Sequence, residues 1–291
     1  MLCNCPFPVS SPRMSTGTLT KETASTKKLR IQDVTAEPIV MILDQAQPNI
    51  DVQIEHGTQV TLFLRLQSKS HSINVMIDDD ATAECICLQD AGDDQSISIE
   101  QKSTLGKNAN VHWRNITLGS KRVLHDLVSH IKGTDSKSSV DWIFYSKNRE
   151  KHQLRARNTF DAERGRGEIR MHGVAEDHAH AICEGMIEIT GKGSGTDTYL
   201  TEKTLMLDAS AKVDAVPGLE IKTNDVKASH SATVTKVSPE DLFYFASRGV
   251  EKKEARRMYI EGFLNDLVQN ISDKNIREVV LQEIAKRYAH S

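Results

Sequence analysis

Between about residues 39 and 234 the chain consists of short runs in which apolar residues sit two apart, each bounded by Gly, Asp, Asn or Ser. Examples are VTLFL (60–64), INVMI (73–77), CICL (85–88), ISIE (97–100), VHWR (111–114), VDWIF (140–144), IRMH (169–172), IEIT (187–190), LMLD (205–208) and LEIK (219–222). A period of two sends alternate side chains to opposite faces of an extended strand, so one face of each run is buried while the other varies. The starts at Ile169, Ile187 and Leu205 lie about 18 residues apart. Such a period is expected where each coil of a solenoid adds one layer to a stack. No Asn-Gly or Asp-Gly pair joins the runs, which favours parallel stacking over antiparallel hairpins. Aromatic residues make up only 5% of the chain, so the core is filled by Val, Ile, Leu and Ala, which suit narrow stacked layers. The expected class is mainly β, with a parallel β-helix core.

After residue 235 the period changes. Ser238-Pro239-Glu240-Asp241 has the composition of a helix start, with Ser238 as N-cap, Pro239 in the first turn and Asp241 closing a capping box. Gly249 stops this helix. A second is expected over 251–270, with Ala255, Tyr259, Phe263 and Leu267 on one stripe. A third is expected over 273–288, with Ile276, Val279, Val280 and Ile284 on its apolar face. The chain thus divides into a disordered tail (1–30), a β-helix core (31–235) and a small C-terminal helical domain (236–291). The simplest role for the helices is to cap the open end of the stack.

A formal charge of -3 argues against a nucleic-acid partner, since such domains carry a basic excess. No apolar run approaches the roughly 20 residues that cross a bilayer, so no membrane partner is expected. The first thirty residues lack a continuous apolar stretch and read as a tail, not a secretion signal. Five cysteines, an odd number, suggest reduced thiols and a cytoplasmic protein.

The segment VPGLEIKTNDVKASHSATV (216–234), followed by LFYFASRG (242–249) and EARRMYIEGF (254–263), resembles the carboxy-terminal signature of the SufB/SufD family of iron–sulfur cluster assembly subunits, nearer to SufD. The resemblance implies a right-handed parallel β-helix and a scaffold subunit that is not itself an enzyme. It also implies pairing with a SufB-like subunit or a second copy, and docking of a SufC-like ATPase on the helical region. No cofactor would be tightly bound; a transient iron or iron–sulfur cluster would sit at a subunit interface. In the family, the position of His230 lies at that interface and is implicated in building the cluster. Neutral imidazole is a good iron ligand. Without the resemblance, a lone strand histidine reads as a hydrogen-bonded structural residue.

SufB-type members place a cysteine about 29 residues before a glutamate that follows the equivalent histidine. Here Ser231 stands at the glutamate position and Glu202 at the cysteine position, so both SufB features are absent. Glu202 is a carboxylate that could hold iron, or an exposed glutamate at a strand end. Ser231 and Thr235 depart from the glycines of many SufD members, which bears on backbone packing. For ATPase docking the resemblance points to Phe243, Tyr244, Arg248, Tyr259 and Phe263; packing of the three helices on one another is the competing role.

Other candidate ligands are His178, His180 and Cys183 in EDHAHAIC. On a straight strand the two histidines face one way and the cysteine the other, so a common metal site requires a bend. Cys85 and Cys87 share a strand face and read as small buried hydrophobes; Cys3 and Cys5 fall in the tail. GKGSGT (191–196) lacks the phosphate-loop spacing and reads as a turn, so any nucleotide belongs to a partner chain. The alternative use of a β-helix is an enzyme acting on a polysaccharide, with Asp78-Asp79-Asp80 or Asp93-Asp94 as its carboxylates.

Overall fold

The computed structural model describes residues 17–19, 25–92, 94–237 and 239–288. In chain order the strands are β1 (Gly17–Leu19), β2 (Thr26–Ile31), β3 (Ile39–Leu43), β4 (Asn49–Ile54), β5 (Gln59–Leu66), β6 (Ser70–Ile77), β7 (Thr82–Gln89), β8 (Ser96–Leu105) and β9 (Asn110–Leu118). They continue as β10 (Arg122–Ile131), β11 (Lys137–Ser146), β12 (Lys151–Phe160), β13 (Arg166–Ala175), β14 (His180–Ile189), β15 (Thr196–Met206), β16 (Lys212–Ala215), β17 (Gly218–Ile221) and β18 (Val226–Lys236). Three helices follow: α1 (Pro239–Ser247), α2 (Lys252–Val268) and α3 (Lys274–Tyr288).

From β2 onward, strands alternate between two sheets, and every pairing within them is parallel apart from that of β1 with β2. Sheet A runs β1-β2-β4-β6-β8-β10-β12-β14-β16, with β17 also on β14; sheet B runs β18-β15-β13-β11-β9-β7-β5-β3. This is a parallel β-helix, with eight parallel strands stacked in each sheet. Its main core lies between the sheets, where Ile54, Leu62, Ile77, Trp113, Ile131, Trp142, Phe160 and Leu200 form one continuous buried cluster.

The coil length differs from the spacing read off the sequence. A coil takes 23 residues where Ile31 stacks on Ile54 and Ile54 on Ile77, and 29 where Ile131 stacks on Phe160 and Phe160 on Ile189. The 18-residue step from Ile169 to Ile187 to Leu205 hops between sheets, because these residues lie in β13, β14 and β15; Ile169 itself stacks on Leu200. All of the strand at Thr26–Ile31 except Ile31 falls in the stretch expected as a tail, so the stack begins earlier than residue 31.

The turns from sheet A to sheet B extend the ladder. Gly57, Asp80, Asn108, Asp135, Arg164 and Gly195 all take positive φ, between 51° and 74°. Asp and Asn tolerate this region better than most side chains. The N–H of each donates to a carbonyl one coil further on, as from Asp80 to Lys107 and Asn108 to Thr134. Side chains reinforce the turns: Asn108 Nδ2 donates to Asp80 Oδ1 at 2.7 Å, and Arg164 pairs with Asp135.

The helices lie along a flank of the stack. Ile260, Leu264, Leu267 and Val268 of α2 and Ile276, Val279, Val280 and Ile284 of α3 pack on Phe63, Ile86, Ile116, Ile143 and Val174, which point outward from sheet B. The expectation that they cap the open end is therefore corrected. The flank attracted them because sheet B presents an apolar outer face, and burying a Leu, Ile or Val side chain fully is worth about 1.5–3 kcal/mol. Two-sided cover explains the burial patterns: β10 alternates strictly, whereas nine of the ten residues of β11 are buried.

Charged clamps fix the helices. Arg256 of α2 donates to Glu176 at 2.8 Å and to Asp208 at 3.0 Å; Arg287 of α3 donates to Glu150 at 2.6 Å. Gly249 ends α1 with φ of 76°, and the N–H of Val250 returns to the Phe245 carbonyl. Asp273 caps α3, its carboxylate accepting from the Ile276 N–H at 2.9 Å. The cap at Ser238 lies outside the described residues, as does the side chain of Asp241.

Candidate functional site

The last coil of the stack is irregular. β16 pairs with β14 as far as Cys183, and β17 resumes the pairing at Met186. Between them the Val216-Pro217 step interrupts the ladder, after the Val216 N–H has donated to the Cys183 carbonyl at 2.8 Å. The N–H of Gly185, opposite the break, donates instead to Glu202 Oε1 at 2.7 Å. Glu202 thus reaches across the interior from β15 to satisfy a donor the broken strand leaves open. A side chain on Gly185 would collide with Leu200 and with this carboxyl.

Glu202 is 1% exposed and mid-strand, not at an exposed strand end as one sequence reading had it. Its Oε2 is buried with no hydrogen-bond partner among the described residues. Burial pushes the carboxyl up to about 7, against the pull of the Gly185 and Val216 N–H groups. The group therefore sits near the midpoint between acid and carboxylate at neutral pH.

His230 lies one layer further out, on the terminal strand β18. It stacks in register on the buried Leu200, and Ala232 stacks on Glu202. His230 thus belongs to the inward-facing column of sheet B, yet it is exposed because among the described residues no further strand covers β18. Exposed apolar side chains gather around the same end: Tyr199, Val216, Ile221 and Val234 are 40–55% exposed. The Tyr199 hydroxyl donates to Ser231 Oγ at 3.1 Å.

His178, His180 and Cys183 do not converge. β14 alternates without a bend. His180 faces outward, its Nε2 2.7 Å from Asp214, whereas Cys183 is buried in the interior; His178 is exposed in the preceding turn. Burial, Glu202 and Glu184 all push the Cys183 thiol up, so it is a poor metal ligand at neutral pH. Cys85 and Cys87 are buried in the core as expected; Cys3 and Cys5 lie outside the described residues.

Tyr259 and Phe263 pack against the flank of sheet B, with the Phe263 ring 5.9 Å from that of His172. Phe243 and Tyr244 are 74% and 56% exposed on α1, and the Arg248 guanidinium stands 5.0 Å over the Tyr244 ring. The five residues therefore split into two packing aromatics and an exposed trio.

The acidic turns proposed for polysaccharide chemistry serve the fold. Asp79 accepts from the Lys107 N–H and Asp80 from Asn108; Asp93 lies outside the described residues. Sequence reasoning missed the corner where Glu176, Asp177 and Asp208 bring carboxylate oxygens within 4.8 Å of one another. Arg256 supplies the cation there, and the Tyr145 hydroxyl donates to Glu176 at 2.6 Å. It also missed a ladder on the outer face of sheet B in which Asp141 takes Arg114, Arg170 and His112. Burial works against the Asp141 charge, yet His112 and Arg170 hold its carboxyl below the usual range. Both depend on strand partners about 27–31 residues away, a distance invisible without the coil length.

Residues 40–263 match the family model described as the SUF system FeS cluster assembly SufBD core domain. The chain is 34% identical over 114 residues to the iron–sulfur cluster assembly protein SufD of Escherichia coli, covering 39% of this chain and 27% of that protein. It is 25% identical over 182 residues to SufD of Bacillus subtilis, covering 62% and 42%. A SufBD family protein of Staphylococcus saprophyticus matches at 22% over 226 residues, covering 78% and 49%. These matches span less than half the length of each relative. No helix among the described residues is long and apolar enough to cross a membrane. With a stacked parallel core, flanking helices and a family match over most of its length, the chain belongs to the SufB/SufD family, on its SufD side.

Proposed function

We propose that this chain is a non-catalytic scaffold subunit of a Suf-type iron–sulfur cluster assembly complex. It pairs through its last coil with a SufB-like subunit or a second copy, and docks a SufC-like ATPase through α1. The observation that carries this reading is the uncovered edge of β18. It combines unpaired strand backbone, exposed apolar side chains and an inward-column histidine at one end of the stack. An open strand edge is a template for another strand. Pairing there would bury His230 between two stacks, where a neutral imidazole can hold iron as cargo. Glu202, one layer beneath, is placed to take up or release a proton as charge arrives or leaves. Phe243, Tyr244 and Arg248 form the exposed docking trio; ATP would act in the partner, and closure of that partner would favour one arrangement of the paired stacks through differential contacts.

The test is reconstitution with a SufB-like subunit and a SufC-like ATPase, followed by sedimentation velocity and spectroscopic cluster formation. A three-component complex is expected, and His230→Ala should leave the complex intact while reducing cluster formation. A monomer indifferent to both partners, or undiminished cluster formation in the variant, overturns the assignment.

A further inference from the structure

The outward face of sheet A carries a column of basic residues. Arg122, Lys151, His180 and Lys212 are aligned in register on four successive strands. In-register parallel strands lie about 4.8 Å apart, so these four side chains form a stripe roughly 14 Å long. Lys121 and Arg149, in the adjoining turns, are exposed beside it, as is His178. Arg122, Lys151 and Lys212 are exposed, and among the described residues none of them is ion-paired; Asp214 touches the stripe only at His180.

Like charges aligned across strands destabilise a sheet. Elsewhere on this face bases are set among acids, with Arg155 between Asp126 at 3.2 Å and Glu184 at 3.8 Å and Arg157 reaching Glu188, and like charges meet in register only as acidic pairs, Glu100 on Asp126 and Glu188 on Glu220. The basic column differs from those pairs in running over four successive strands. Beside it runs a largely uncharged column containing Leu124, Gln153 and Ile182, all half-buried. Four residues along the strands from the stripe, about 13 Å away, stand Glu100, Asp126, Arg155 and Glu184, a column with an excess of acid.

We propose that this stripe is a docking surface for an acidic polypeptide segment, lying along the stack axis with carboxylates on the basic column and apolar side chains on Leu124 and Ile182. The width selects the class of partner. A broad polyanion, such as a nucleic-acid duplex or a bilayer surface, would place phosphates over the acidic column. A single acidic chain fits between the two. The surface lies on the opposite sheet from the helices and is distinct from the β18 edge, so its success or failure is independent of the scaffold assignment.

The probe is a fluorescein-labelled peptide of glutamates interspersed with leucines, titrated with the full chain by anisotropy at several salt concentrations. Lys151→Glu with Lys212→Glu is compared with Lys102→Glu with Lys132→Glu, an equal charge change at exposed sites away from the stripe. The stripe variant should lose about tenfold or more in affinity, as expected when two attractive contacts become repulsive, and its dependence on salt should flatten. The comparison variant should bind like the wild type. Absence of binding, equal losses in both variants, or tighter binding of a single-stranded oligonucleotide or phosphatidylserine vesicles through the same lysines overturns the proposal. Circular dichroism and gel filtration of each variant keep a folding defect distinguishable from a lost contact.

Discussion

His172 is buried beneath Phe263, with neither ring nitrogen hydrogen-bonded among the described residues. Burial and the nearby Lys203 and Arg170 lower it to about 4, against the opposing pull of Asp266 and Asp141. The unfolded chain binds this proton near 6.5, so between about pH 4 and 6.5 the unfolded state holds more protons and stability falls with acidification, by at most about 1.4 kcal/mol per pH unit. His172→Leu should flatten that limb in urea midpoints measured from pH 4.5 to 7.5; an unchanged slope would assign it elsewhere. Glu202 has the opposite sign. Its native value of about 7 lies above the ordinary 4.5, so the native state holds the extra proton and stability declines as pH rises from about 4.5 to 7. Glu202→Gln keeps an acceptor for the Gly185 N–H and removes the buried charge. It should stabilise by about 1–3 kcal/mol at pH 8 and by little at pH 4. A loss of stability at pH 8 would mean that the carboxylate itself is what the break at Val216-Pro217 requires.

At the level of elements, the helices are attached by an apolar face and by a few buried charges. Glu176 and Glu150 are 4% and 3% exposed and depend on Arg256 and Arg287. Removing one member of a buried pair strands the other charge, at about 3–5 kcal/mol. Arg256→Ala should therefore raise amide exchange across 252–288 while leaving β8–β13 protected, and uniform loss of protection would show that helices and stack unfold as one unit. The helix faces were legible: Ile276, Val279, Val280 and Ile284 are the buried side of α3, as their spacing requires. On α2, Ala255 and Leu267 are buried as expected, whereas Tyr259 and Phe263 are only half covered beside the deeper Ile260 and Leu264. The strands β10 and β12 were less legible because polar residues occupy inward positions, among them His125, Ser129, His152 and Asn158. Ser129 takes the Ser103 hydroxyl of the neighbouring layer at 2.8 Å and Asn158 donates across the interior to the Ser138 carbonyl at 3.0 Å, whereas the ring nitrogens of His125 and His152 are buried without a hydrogen-bond partner among the described residues. A lone period-two pattern cannot register contacts that exist only after stacking, and for the same reason Glu202 read as a surface residue.

For the whole molecule, a stack of parallel layers has two ends, and the two ends here differ. At the first, sheet A is closed by the antiparallel β1, while the edge strand of sheet B is β3, IVMIL, with Val40 and Ile42 about 40% exposed. At the last, β18 is long, mostly exposed and polar on its outward side, with Val234 near its close. Both edges could accept a strand, but only the last adjoins His230, Glu202 and the broken ladder of sheet A. Pairing through β18 would place a partner directly over the column that contains the candidate chemistry, whereas pairing through β3 would leave that column open to water. Ser231→Lys with Val234→Lys should thus abolish association with the partner subunit or a second copy in sedimentation velocity, because facing strands would bring like charges together or bury unpaired ones. Ile42→Lys should leave association unchanged. Both variants alter residues that are not deeply buried, so the unfolding free energy of the isolated chain in urea should change by no more than about 0.5 kcal/mol. If Ile42→Lys disrupts the assembly and the β18 variant does not, the interface lies at the first coil, and the exposure of His230 would have to be explained without a partner stack.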